Sequence, residues 1–314
     1  MRYDDFRRSD NIEDRRDEDG SGGGPNFPMG GGGGGSRIGL GVIVVALLGS
    51  YFFGIDPRVI IGGAEILQGG GGQMQSQSAA GRGSSTGRRG VPSDEMGNMV
   101  SGVLGELEDR WKEMFDASGK SFEPARLVIF SGATNGGRCG MAQSAMGPFY
   151  CPPEKKIYLD LAFFKEVETR FRGCSGSACK FTAAYIIAHE YGHHIQNLVG
   201  TIPRVTQMQQ QVGSRAAGNA LQVKVELEAD CLSGVWVNLE KRKRPNFLEP
   251  GDIDSALTTA NAIGDDTLQR AATGRVVPDS FTHGTAEQRK RWFMIGYQQG
   301  SVQACHKTFS GEPL

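Results

Sequence analysis

The pentapeptide His189-Glu190-Tyr191-Gly192-His193 constrains the fold more than any other stretch of this 314-residue chain. Two imidazoles at i and i+4 reach one ion only if the segment is helical, because those positions share a helix face. The preceding run, Tyr185-Ile186-Ile187-Ala188, is apolar and suits a buried helix that walls off a dry site. Zinc favours neutral imidazole nitrogen at about 2.0–2.1 Å, and a pair of histidines needs a further ligand from another element. Glu190 follows the first histidine. It can take a proton from a water at the open metal position and pass it to a leaving amine.

The third ligand is sought on a second helical stretch. In Glu226-Leu227-Glu228-Ala229-Asp230 the residues Glu226 and Asp230 are again i and i+4. Glu226 completes a His₂Glu set, and Asp230 is placed to accept the outer N–H of a ligand histidine. Glu228 falls off that face, where it is expected to be exposed or paired with a cation. Further on, Thr285 and Gln288 form a capping box for a helix, and His283 stands just ahead of it. His283 can hydrogen-bond a substrate carbonyl or a tetrahedral oxyanion, a role for which Tyr191 is the other candidate. Arg289 reads either as a salt-bridge partner or as an active-site cation. His194 points away from the ligand face and reads as packing or surface, and no role is expected of His306.

Around this centre the chain divides by composition. Of its 47 glycines, 24 precede residue 93. Residues 1–37 alternate arginine with acidic residues and run into Gly30–Gly35, which predicts a disordered tail. Residues 38–55 carry no charge. As a helix they would extend about 27 Å, close to the roughly 30 Å of a hydrocarbon core, so one transmembrane helix is expected, with a cleaved signal peptide as the alternative. Residues 56–92 read as a flexible Gly/Ser-rich linker, and 93–314 as the folded domain. There Ser93 is a candidate cap for a helix over 96–115. Arg126–Ser131 and Lys156–Leu161 read as strands, and further helices fall near 181–199, 218–242, 252–263 and 285–299. The fold class is α+β, mostly helical with a small sheet.

All six cysteines, at 139, 151, 174, 179, 231 and 305, follow the apolar run, which suits an oxidising compartment. Local spacing favours Cys139–Cys151 and Cys174–Cys179, leaving Cys231–Cys305. With arginine counts leaning the same way, the expectation is a single-pass protein of the cytoplasmic membrane with its domain on the periplasmic or extracytoplasmic side. A net charge of -1 argues against a nucleic-acid partner, and 38% hydrophobic residues exclude a polytopic membrane protein.

The segments AHEYGHHIQNLVG (188–200), VELEADCLSGVW (225–236) and VVPDSFTHGTAEQRKRWF (276–293), with GPFYCP (147–152) and KIYLDLAFF (156–164), together resemble the bacterial neutral zinc metallopeptidase family of YpfJ-like proteins. More broadly the chain is similar to the gluzincins. The resemblance covers about residues 93–310 and the N-terminal anchor. It implies a zincin-like fold, one zinc ion held by His189, His193 and Glu226, Glu190 as the base, and His283 in the active site. The expected activity is hydrolysis of a protein or peptide bound extended, along strand 156–161. Two other functions fit the same residues: a non-catalytic zinc-stabilised envelope module, and a metal-dependent amidase of the cell wall. Glu190 favours catalysis, since a structural zinc site has no use for a carboxylate beside an open position.

Overall fold

The first strand, β1 (Ile12–Asp14), lies where the sequence predicts disorder. In the computed structural model, which describes residues 1–17, 87–169, 174–176, 178–311 and 314, this strand is inside the sheet. It runs antiparallel to β2 (Arg88–Arg89) and parallel to β3 (Arg126–Phe130), with Ile12 opposite Leu127 and Asp14 opposite Ile129. Beyond the ribbon of β4 (Ala133–Asn135) and β5 (Met141–Gln143), the chain returns through β6 (Phe149–Cys151) and β7 (Lys156–Asp160). The five-stranded order is β2-β1-β3-β7-β6. Leu127 through Phe130 are all buried, as expected of an interior parallel strand covered on both faces. The strand over 156–161 is not an exposed edge. It lies between β3 and the antiparallel β6, so β6 takes the edge position expected of it.

Residues 1–17 are therefore part of the domain, which corrects the expected tail over 1–37 for that part. Most of their charges meet a partner. Arg7 bonds Glu108 at 2.7 Å and Asp109 at 3.0 Å, Arg15 bonds Glu13 at 2.8 Å, and Arg16 bridges Asp14 and Asp94 at 2.6 Å. Met1, Phe6 and Ile12 are buried. The helix beneath, α1 (Glu95–Ala117), is built to take this segment. Ser101 Oγ donates to the Ser9 carbonyl at 3.0 Å, and a side chain at Gly105 would collide with the Arg7 carbonyl. The opposite face of α1 carries the expected apolar stripe, with Met99, Val100, Val103, Leu104, Leu107 and Trp111 buried. Its cap is Asp94, one residue after the expected Ser93, accepting from the Gly97 N–H at 2.9 Å. The linker boundary also moves, because Arg88 and Arg89 are β2. Residues 18–86, including the apolar run 38–55, lie outside the described residues. Among the described residues no helix is long and apolar enough to cross a membrane.

Helices then dominate. α2 (Ala162–Thr169) precedes the central α3 (Ala178–Val199), followed by α4 (Thr201–Gln211) and the long α5 (Arg215–Lys243). α6 (Asp252–Ala262), α7 (Asp265–Thr273), α8 (Ala286–Gln299) and the short α9 (Val302–Cys305) complete the chain. The sequence missed α2, α4, α7 and the short α9. The capping box is formed as expected, Thr285 accepting from Gln288 N at 3.1 Å while Gln288 Oε1 accepts from Thr285 N at 2.9 Å. α5 and α8 approach at Gly234 and Gly296, where any Cβ would strike the facing backbone. All three expected disulfides are formed: Cys139–Cys151, Cys174–Cys179 and Cys231–Cys305. The last ties α5 to α9.

Candidate metal centre

α3 carries His189 and His193, and α5 brings Glu226 against them. Gly192 makes the approach possible, since a Cβ there would sit 3.0 Å from the Ala229 carbonyl oxygen and 3.1 Å from its Cα. The two imidazole Nε2 atoms converge on one carboxylate oxygen, Glu226 Oε2, at 3.2 Å from His189 and 3.4 Å from His193. For comparison, the edge of a tetrahedron around an ion with ligands near 2.0 Å is about 3.3 Å. All three candidate ligand atoms lie within 4.8 Å of one another.

Each of the three is oriented from behind. His189 donates its Nδ1–H to Asp230 Oδ1 at 2.9 Å, since a carboxylate cannot donate in return. His193 Nδ1 lies 2.8 Å from Gln196 Oε1. That amide is fixed by its own NH₂, which donates to the Val225 carbonyl and to Glu228, both at 2.8 Å. Gln222 Nε2 donates to Glu226 Oε1 at 2.8 Å and leaves Oε2 facing the histidines. With both Nδ1 atoms protonated, neutral imidazoles present bare Nε2 lone pairs to a carboxylate. Such an array repels itself unless a cation or a proton lies between, and this is the donor chemistry of a zinc site.

The charge balance agrees. Glu190, Glu226 and Asp230 are buried, and Arg289 opposes them. With neutral imidazoles these four leave two negative charges, which a divalent ion neutralises. Where a proton rather than a cation lies between them, the imidazoles are charged: burial would raise the Glu226 pKa, yet the charge of His193 and hydrogen bonds from both histidines then hold it well below the usual carboxylate range. Burial likewise opposes charge on His189, but Asp230 overrides it and pushes the imidazole up to about 10. Glu190 differs. Burial raises its pKa and the neighbouring histidines only partly offset this.

Asp230 is the anchor of the second layer. It also accepts the Tyr185 hydroxyl at 2.7 Å and both Arg289 Nε at 2.8 Å and Nη2 at 3.0 Å. Of the two roles open to Arg289, the structure selects salt-bridge partner. Asp230→Asn keeps the shape but removes the charge that orients His189 and pairs Arg289. We expect zinc affinity to fall roughly 10–100-fold, as measured by competition with a chromophoric chelator. An unchanged affinity would show that the Asp230 charge does not tune His189.

His283 precedes α8 on the segment that α7 holds down. Asp265 Oδ2 accepts three successive backbone N–H groups, from Thr282 at 2.7 Å, His283 at 2.6 Å and Gly284 at 3.2 Å. Asp265 Oδ1 lies 3.3 Å from His283 Nδ1. A charge on His283 acts to lower the pKa of both Glu190 and Glu226. Tyr191 goes elsewhere: it is fully buried on the far side of α3, edge-on to His194 at 5.3 Å. It is no oxyanion donor. Glu228 is buried rather than exposed, between Gln196 and His306 Nδ1 at 2.8 Å.

His194 is a core histidine. Its Nε2–H donates to the Glu123 carbonyl at 2.7 Å and its Nδ1 accepts from the Tyr150 hydroxyl at 3.0 Å. Burial pushes its pKa down to about 4. The unfolded chain therefore binds this proton first, and the contribution of His194 to stability, complete above about pH 6.5, is lost as pH falls towards 4. The loss is on the order of 3 kcal/mol. Urea unfolding of the wild type and of His194→Gln should diverge in pH dependence by about this amount over that window. Parallel profiles would place the acid sensitivity elsewhere.

Gln196, Gln222 and Asp265 carry no expectation from the sequence, and Tyr185, read there as part of an apolar run, donates its hydroxyl to Asp230. Gln196 at i+3 from His193 and Gln222 at i−4 from Glu226 had the helical spacing that could have revealed them. Asp265 had no local signal, because its partner lies on another segment.

Residues 1–309 match the family described as "Putative neutral zinc metallopeptidase". The chain is 40% identical over 308 residues to the protein YpfJ of Escherichia coli K12, covering 98% of each. It is 42% identical over 227 residues to the protein Rv2575 of Mycobacterium tuberculosis H37Rv, covering 69% of this chain and 70% of that one. No solved structure matches it.

Proposed function

The chain belongs to the neutral zinc metallopeptidase family, and on that premise we propose that it is a zinc-dependent peptidase working in an oxidising, extracytoplasmic compartment. The observation that carries this reading is the convergence of His189, His193 and Glu226, each oriented by its own partner, beside a buried carboxylate that is not needed as a ligand. Those three residues would hold one zinc ion. Zinc bound there supplies a Lewis acid for the scissile carbonyl and lowers the pKa of water towards about 7. Glu190 accepts the proton of the attacking water and delivers it to the amide nitrogen as that bond breaks. Burial raises its pKa towards the working range of a base that must also act as an acid. His283, held by Asp265, serves as a donor to the carbonyl oxygen as negative charge develops there. Gln196 and Asp230 keep the imidazoles in the ligating tautomer. Three disulfides support the compartment, and the substrate is an extended protein or peptide segment.

The test is the zinc content of the whole chain alongside cleavage of an unfolded protein mixture. About one zinc per chain is expected, with cleavage lost on chelation and regained on zinc addition. A folded chain that takes up no zinc would end the metal-site reading. Bound zinc without cleavage would favour a zinc-stabilised binding module.

A further inference from the structure

The sheet has a consequence for how this chain meets a membrane, and it does not depend on the peptidase reading. β1 is an interior strand. Its backbone pairs with β3 over Ile12–Asp14 on one side and with β2 on the other, and the Ile12 carbonyl also accepts from Gly90 N at 3.2 Å. Ahead of β1, the segment is fixed along its length to elements of the domain. The Met1 ammonium bonds Glu249 at 2.6 Å and Asp252 at 3.1 Å, Arg2 N donates to the Phe247 carbonyl at 2.8 Å, and Ser9 and Ser101 exchange two bonds. After β1, Arg15 N donates to the Ile129 carbonyl at 2.8 Å, and Asp17 lies 3.6 Å from Arg88. The two ends of segment 18–87 are thus neighbours in one sheet. A hydrocarbon core about 30 Å thick cannot lie between strands spaced about 4.8 Å apart.

We infer that residues 1–17 and 88–314 occupy the same side of any membrane the chain meets. This replaces the arrangement expected from arginine counts, with the N-terminus inside and the domain outside. If the disulfide-bearing domain is exported, the N-terminal segment is exported with it.

The experiment uses the full-length chain in bacterial spheroplasts. Asp4 and Lys120 are exposed, one on the N-terminal segment and one on the domain. The six native cysteines are paired, so Asp4→Cys and Lys120→Cys each introduce a single free thiol. Each variant is treated with a membrane-impermeant maleimide before and after permeabilisation. Equal accessibility of the two positions is expected, both reacting before permeabilisation or both only after it. Labelling of one position before permeabilisation and of the other only after it would overturn the inference. As a second readout, the double variant Ser9→Cys, Ser101→Cys is expected to form an intrachain disulfide in intact membranes. A chain that keeps these two thiols apart until detergent is added would likewise overturn it.

Discussion

Replacing Glu190 by Gln is expected to leave zinc bound and to lower kcat/KM by roughly 10²–10⁴-fold. Gln keeps the volume and the hydrogen-bonding shape of Glu but cannot hold the proton in transit. The three ligand atoms converge without any contribution from Glu190, so the ion should remain. The loss corresponds to about 3–5 kcal/mol of transition-state stabilisation. Zinc content and cleavage rate should be measured on the same preparation. If cleavage persists within a factor of ten while zinc is retained, Glu190 is not the base. If zinc is lost with activity, the result reports on the site and not on the proton transfer. The control is Asp230→Asn, which weakens zinc binding and therefore responds to added zinc, whereas Glu190→Gln does not.

Removal of residues 1–17 is expected to cost most of the stability of the domain. Met1, Phe6 and Ile12 are buried to 4%, 4% and 1% exposure. At about 1.5–3 kcal/mol each, their burial contributes on the order of 5–9 kcal/mol, comparable with the roughly 5–15 kcal/mol that holds a typical domain together. The deletion also uncovers Glu108, which accepts from Ser9 Oγ at 2.6 Å and Asn11 Nδ2 at 2.8 Å, and leaves one side of β3 unpaired. A chain of residues 88–314 should unfold early or aggregate through that edge. Residues 1–17 joined to 88–314 by a short Gly/Ser linker should fold, because Asp14 and Arg88 are already opposite one another. Thermal unfolding of the two chains decides it. A melting temperature for 88–314 within a few degrees of the joined chain would show that the segment is an accessory.

The residues at the centre were legible because each signal was local. His189 and His193 are one helical turn apart, as are Glu226 and Asp230, and helix periodicity alone puts each pair on one face. The apolar stripe of α1, strands β3 and β7, the capping box at Thr285 and the two short-range disulfides rest on the same kind of evidence, a pattern that closes within a few residues. Only the tertiary structure decided the rest. It made Gly192 the contact through which α5 reaches the histidines, brought Asp265 to His283, sent Tyr191 into the core, and turned 156–160 from an edge into an interior strand. Its largest correction concerns residues 1–17. Their composition reads as disorder because it contains few apolar residues and many charges, and that reading assumes the charges face water. Here their partners, Glu108, Asp109, Asp94 and Glu249, lie far along the chain. Composition is a sum over a window, and a window cannot register a partner outside it.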